Sequence, residues 1–259
     1  MSSPGDPRGP QRQHRGFGAF PQPEPPRPKR RGWLITAVVL GAVVLLGAMA
    51  AVVVVGFRGQ DAPPEPAAAP ATSSGATPLV PGWQVVDVPK RQAVYDVPQD
   101  WERDPNPDAV HAVGPPGDAI GLTGVAHRQR GFCPGDDNSF RAMTGAGARL
   151  GPDDNAVAAE TAATFIGHAF TRDGHAPTVE QSPPEPLTLT GGVPAARVNA
   201  QVTLPAPTGC DARAVAVSVV ATNSDGRSSV VLVSAADQGI PNAVTPAALD
   251  RVTASLRPR

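Results

Sequence analysis

The 259-residue chain has few of the short signatures from which an active site can be read. No G-x-S-x-G occurs, so the strained elbow that presents a catalytic serine is not encoded. H-E-x-x-H is missing as well. The five histidines (His14, His111, His127, His168 and His175) never stand four apart, so a zinc site would need ligands gathered over long range. GAGARLG (145–151) has one residue too many for a dinucleotide glycine loop. PGDDN (134–138) and GPDDN (151–155) lack the frame that wraps calcium. No catalytic, cofactor-binding or metal-ligating residue is therefore expected, and the histidines are expected to be surface or partly buried polar groups.

Lysine is also scarce, occurring only as Lys29 and Lys90, while alanine, valine, glycine, proline and arginine dominate. That bias resembles proteins of GC-rich actinobacteria. Residues 1–32 carry seven Lys/Arg against two Asp/Glu, whereas residues 83–259 carry fourteen against nineteen. The acidic balance of the larger part repels phosphate backbones. It also lacks a basic patch interleaved with aromatics, so nucleic acid is not an expected partner.

What the chain does have is a long charge-free run. WLITAVVLGAVVLLGAMAAVVVVGF (33–57) is 25 residues long, and at ~1.5 Å per residue a helix of that length exceeds the ~30 Å hydrocarbon core. Secretory h-regions are shorter, ~7–15 residues, so the sequence predicts an uncleaved signal anchor. Cleavage near AMAA (48–51) is the alternative. Arg27, Lys29, Arg30 and Arg31 crowd the N-terminal flank and only Arg58 follows the run. The positive-inside rule then puts the N-terminus in the cytoplasm and the C-terminal part outside the plasma membrane.

Residues 1–32 are rich in proline and arginine and poor in apolar side chains, as expected of a disordered cytoplasmic tail. Residues 58–82 read as a Pro/Ala-rich linker. An extracytoplasmic α+β domain is expected over 83–259. Alternating β-branched stretches predict strands at 83–88, 93–97, 109–113, 119–128, 196–204, 213–222 and 228–236, with hairpins across the first two pairs and the last. Helices are expected at 155–170 and 245–256, and a weaker one at 138–149 whose frayed end would be GAGARLG. In that reading Asp136/Asp137 and Asp153/Asp154 cap helices. The architecture is a mostly antiparallel sheet flanked by helices and preceded by one transmembrane helix.

Tyr95-x-Val97-Pro98-x-x-Trp101, a strand ended by proline and followed by tryptophan, resembles the opening signature of PsbP-like α/β domains. A strand, a loop with Asp237 and a closing helix ending ASLRP (254–258) match its end. The order is similar to uncharacterised single-span actinobacterial envelope proteins and to LpqN-type lipoproteins. The resemblance implies a binding or accessory module without a shared catalytic centre. Independently of it, Pro98 should end its strand, and Tyr95 and Trp101 should be core.

Outside the membrane, Cys133 and Cys210 form an even pair in an oxidising compartment, and a disulfide is expected. A thiol nucleophile near His127 and a redox pair are the rivals. Carboxylates at 96, 100, 102, 104 and 108 are expected to form a solvated acidic loop. The expected function is a membrane-anchored, non-catalytic binding domain of the cell envelope, with an envelope protein or small ligand as partner and no cofactor. An envelope hydrolase using acids from 96–137 and a membrane sensor signalling through the tail are the alternatives.

Overall fold

The computed structural model describes residues 75–223 and 225–259. The expected tail, span and most of the linker lie outside these residues. Among the described residues no helix is long and apolar enough to cross a membrane.

A small antiparallel sheet comes first, made of β1 (Trp83–Val88), β2 (Ala93–Pro98) and the last strand of the chain, β12 (Arg257–Pro258). The large sheet contains β3 (Glu102–Arg103), β4 (His111–Val113), β5 (Ile120–Arg128), β6 (Ala142–Leu150), β7 (Thr178–Gln181), β8 (Glu185–Leu189), β9 (Val193–Thr203), β10 (Ala214–Asn223) and β11 (Ser228–Gln238). Its order is β3-β5-β6-β11-β10-β9-β7, with β4 on β5 and β8 on β9. Every pairing among these strands is antiparallel. Two helices complete the domain, α1 (Asp154–Phe170) and α2 (Pro246–Ala254), giving an α+β fold.

Both faces of the large sheet are covered, which is why its central strands read as almost unbroken apolar runs. On β10, Val215, Val217, Val219 and Ala221 join the core beneath α1, with Phe165, Ile166 and Phe170. Ala216 and Val220 point the other way, into a second core with Tyr95, Trp101, Leu249 and Val252. The small sheet and α2 therefore cap one face and α1 the other.

Helix α1 starts at Asp153, whose carboxylate accepts the Asn155 N–H at 2.9 Å. Helix α2 starts at Thr245, whose hydroxyl accepts the Ala248 N–H at 3.2 Å, with Pro246 in the first turn. Strand β2 ends at Pro98, and Tyr95 and Trp101 are buried core residues, as expected.

The helix expected over 138–149 is not there. Ala142–Leu150 is β6, a central strand between β5 and β11, so GAGARLG is strand followed by turn rather than a helix end. Alanine is a good helix former, but helix propensity is a weak influence that tertiary packing overrides. Here the small residues permit close approach: a Cβ on Gly147 would lie 2.8 Å from the Gly121 carbonyl oxygen of β5. Asp136 consequently caps no helix, and its carboxylate instead accepts the Asn138 N–H at 3.0 Å in a local turn. Strands β7 and β8 have no alternation signal because SPPEP (182–186) interrupts them, which suits an edge position.

Candidate functional site

The strand register collects a set of polar side chains on the α2 face. Gln201 of β9 stands opposite both Glu180 of β7 and Ala216 of β10, and Asn199 stands opposite Ser218. Residues directly opposite in adjacent strands share a face. Pro246, Leu249 and Asp250 of α2 overhang this row, enclosing a cleft of about 230 Å³. Its polar lining is Glu180, Ser182, Asn199, Gln201, Ser218 and Asp250.

Asp250 is fixed from below: Ser218 Oγ donates to its Oδ1 at 3.1 Å and also lies 3.1 Å from Thr253 Oγ1. Arg197, two residues before Asn199, is held by Glu185 at 2.9 Å, with Asp250 3.8 Å away on the other side. Ser182 and Asn199 exchange hydrogen bonds, the Ser182 N–H donating to the Asn199 carbonyl at 2.8 Å and the Asn199 N–H to Ser182 Oγ at 3.1 Å. Asn199 Oδ1 is buried with no hydrogen-bond partner, and so is Arg197 Nε. A buried polar atom left unpaired costs about 1–3 kcal/mol, so a water or a ligand group that pairs with it is favoured there.

A larger hollow of about 500 Å³ lies between the loop after α1 and the loop that carries Cys210. Two of its charged groups are engaged locally. Arg172 donates to the Ala169 carbonyl at the end of α1, and Asp211 accepts the Thr208 N–H.

None of the acidic residues of 96–137 lines either hollow. Asp96 is fully buried and pairs with Arg257 at 2.9 Å, which corrects the expectation for that residue, whereas Asp100, Glu102 and Asp108 are exposed as expected of a solvated loop. The correction has a long-range cause, since the partner arrives from β12 at the far end of the chain. Asp104 binds His111 Nε2 at 2.7 Å, and Asp100 binds Arg128 at 2.7 Å.

His111 also meets the ring of His127, centroid to centroid 5.8 Å, and His127 lies 4.6 Å from Phe140. Burial, followed by the charges of His111 and Arg130 and opposed by Asp104, pushes His127 down to about 4. His127 is therefore a neutral core histidine at pH 7. This cluster belongs to the β4–β5 side of the sheet, whereas the cleft lies over β7, β9 and β10 at the other.

Cys133 and Cys210 are bonded, with Cα atoms 5.7 Å apart and a sequence separation of 77. Among the described residues there is no free cysteine, so neither a thiol nucleophile nor a dithiol is present in this state. Arg141 secures the junction: its Nη1 donates to the Cys210 carbonyl at 3.0 Å and to Asp237 Oδ2 at 2.9 Å, and its guanidinium carbon lies 3.6 Å from the centre of the Phe132 ring. Burial pushes the Asp237 carboxyl up to about 6, against the opposing pull of Arg141 and aided by Asp211.

None of the cleft residues was singled out by the sequence. Their only signal is that positions 197, 199, 201 and 218 interrupt the apolar alternation of β9 and β10 on the α2 face.

Fold and cleft define an α+β domain with a small polar recess beside its last helix. Residues 76–259 match the model of a family described as Domain of unknown function (DUF8017), and the chain belongs to that family. Among solved structures, the chain is similar to cyanobacterial PsbP (CyanoP) from Synechocystis sp. PCC 6803, with a TM-score of 0.43 and 13% identity over 74% of this chain and 100% of that one. No curated protein matches the chain.

Proposed function

We propose that this protein is a membrane-anchored, extracytoplasmic binding domain of the cell envelope that catalyses no reaction. The observation that carries the binding reading is the cleft over β9 and β10, with Asn199 Oδ1 buried and unpartnered at its wall. A recess with a buried acceptor that no protein group satisfies is suited to a ligand that donates to it. The anchoring reading rests on the charge-free run at 33–57 and its basic N-terminal flank. The Cys133–Cys210 bond suits an oxidising compartment. The non-catalytic reading is supported by the separation of the acid–base groups. Asp104 and His111 pair at one side of the sheet, and the cleft carboxylates stand at the other.

A ligand screen on the full chain in detergent tests this, read as the shift in unfolding temperature of the parent and of Gln201→Trp, which fills the cleft. Compounds that raise the parent's Tm by several degrees and leave the variant unmoved support cleft binding. Turnover of such a compound by the parent, abolished by one point substitution, contradicts the non-catalytic reading.

A further inference from the structure

The cleft is divided by chemistry, and the division restricts what fits. One part is hydrocarbon: Ala216, Pro246 and Leu249. The other includes the Gln201 amide and the Ser182 and Ser218 hydroxyls, but carries its charge on acceptors. Glu180 has no hydrogen-bond or ion-pair partner among the described residues, Asn199 Oδ1 is buried and unpartnered, and Asp250 has only the Ser218 hydroxyl and the 3.8 Å contact with Arg197. Arg197 does not line the cleft, and Glu185 already matches its charge, so the lining charge is that of two carboxylates.

At about 230 Å³ the cleft is smaller than the roughly 300–1,000 Å³ of sites for drug-sized ligands. It holds one side chain or a small head group rather than a chain of sugars. A hydroxyl-rich ligand would set polar groups against the apolar wall without partners. An anion would face Glu180 and Asp250. An alkylammonium group meets both halves: its methylenes lie along the apolar wall, and its head brings three N–H donors and no acceptor to three acceptor groups.

We propose that the cleft receives an alkylammonium group of the lysine side-chain type. The proposal rests on the binding reading above and names the chemistry of the ligand. Glu180 and Asp250 supply the charge, Asn199 Oδ1 takes a directed hydrogen bond, and Pro246 and Leu249 hold the stem.

The test uses the full chain in detergent with three probes: Nα-acetyl-lysine methylamide, its Nε-acetylated form and the neutral sugar N-acetylglucosamine. Binding is read by saturation-transfer NMR and by competition between probes. The lysine probe should bind, its affinity should fall at least tenfold on Nε-acetylation, and it should fall by a similar factor in Glu180→Gln/Asp250→Asn. Salt should weaken it. Unfolding curves for the double variant separate loss of the ligand from loss of the fold. Asn199→Leu, which removes the acceptor and keeps the volume, supplies a second variant and should also weaken the lysine probe.

If the acetylated probe or N-acetylglucosamine binds the cleft as well as the lysine probe does, the ammonium assignment is wrong and the cleft remains a binding site. If the lysine probe binds equally to the parent and to Gln201→Trp, the assignment is overturned because binding is elsewhere. Absence of binding by all three overturns the assignment too, while the broader screen still decides the binding reading.

Discussion

Arg257 Nη2 lies 2.9 Å from Asp96 Oδ1, joining the last strand of the chain to the first hairpin. Asp96 is fully buried and Arg257 is 9% exposed. Around them the Leu79 N–H donates to Asp96 Oδ2 at 2.6 Å, and Arg257 donates to the Thr77 carbonyl at 3.0 Å. The pair thus locks the point where the chain enters the domain to the point where it ends. Removing one partner of a buried ion pair leaves the other uncompensated. Asp96→Ala should cost about 3–5 kcal/mol, measured by urea unfolding of the full chain. Asp96→Ala/Arg257→Met should recover part of that loss, and a single variant as stable as the parent would contradict the assignment.

The disulfide supplies a second prediction. Closing a loop of 77 residues is worth on the order of 4 kcal/mol in the chain-entropy picture. Cys133→Ser/Cys210→Ser should lower stability by about 2–4 kcal/mol without changing the secondary structure seen by circular dichroism. Mass mapping of the unreduced protein should find the two cysteine peptides linked, and two alkylatable thiols in the protein isolated from its own envelope would contradict the bond.

Two buried titrating groups give opposed pH dependences. His127, lowered from 6.5 to about 4, binds fewer protons folded than unfolded between those values, so its contribution is lost as pH falls from about 6.5 to 4. Asp237, raised from 3.8 to about 6, binds more protons folded than unfolded, so its effect is the reverse and stability gains as pH falls through the same range. The two partly cancel in the parent. Asp237→Asn should therefore lose stability more steeply than the parent between pH 6.5 and 4, and His127→Gln should lose it less steeply. Denaturant unfolding at pH 6.5 and pH 4.5 measures both differences, and parallel curves would remove these groups from the account.

Two glycines should respond to alanine with opposite signs. Gly147 lies in β6 where a Cβ would stand 2.8 Å from the Gly121 carbonyl oxygen, a backbone atom that cannot rotate away. Gly147→Ala should destabilise by about 1–3 kcal/mol. Gly167 lies on the exposed side of α1 with nothing within 4 Å of its added Cβ. Gly167→Ala should stabilise by up to about 1 kcal/mol through helix propensity. Thermal unfolding of the two variants checks the pair.

These glycines also show why part of the fold could be read from the sequence and part could not. The β1–β2, β4–β5 and β10–β11 hairpins were legible because β-branched alternation is a local pattern bounded by turns. Helix α1 was legible from its apolar spacing and Asp153. In β6 the reason for Gly145 and Gly147 is the nearness of β5, a contact between segments that local propensity does not record. Strands β7, β8 and β12 are likewise held by partners rather than by their own composition. The cleft was illegible for the same reason. Glu180, Asn199, Ser218 and Asp250 come from four elements, and only the register of β7, β9 and β10 beneath α2 makes them neighbours.

We propose that the binding domain is held on the outer side of the membrane by the run at 33–57. The most direct test adds protease to intact cells of an actinobacterial host that make the full chain with an epitope at each end. The account predicts that the C-terminal epitope is lost while the N-terminal epitope survives on a short membrane-bound fragment. Protection of the C-terminal epitope until the cells are permeabilised, or release of the domain into the medium without its N-terminal epitope before protease is added, would contradict it.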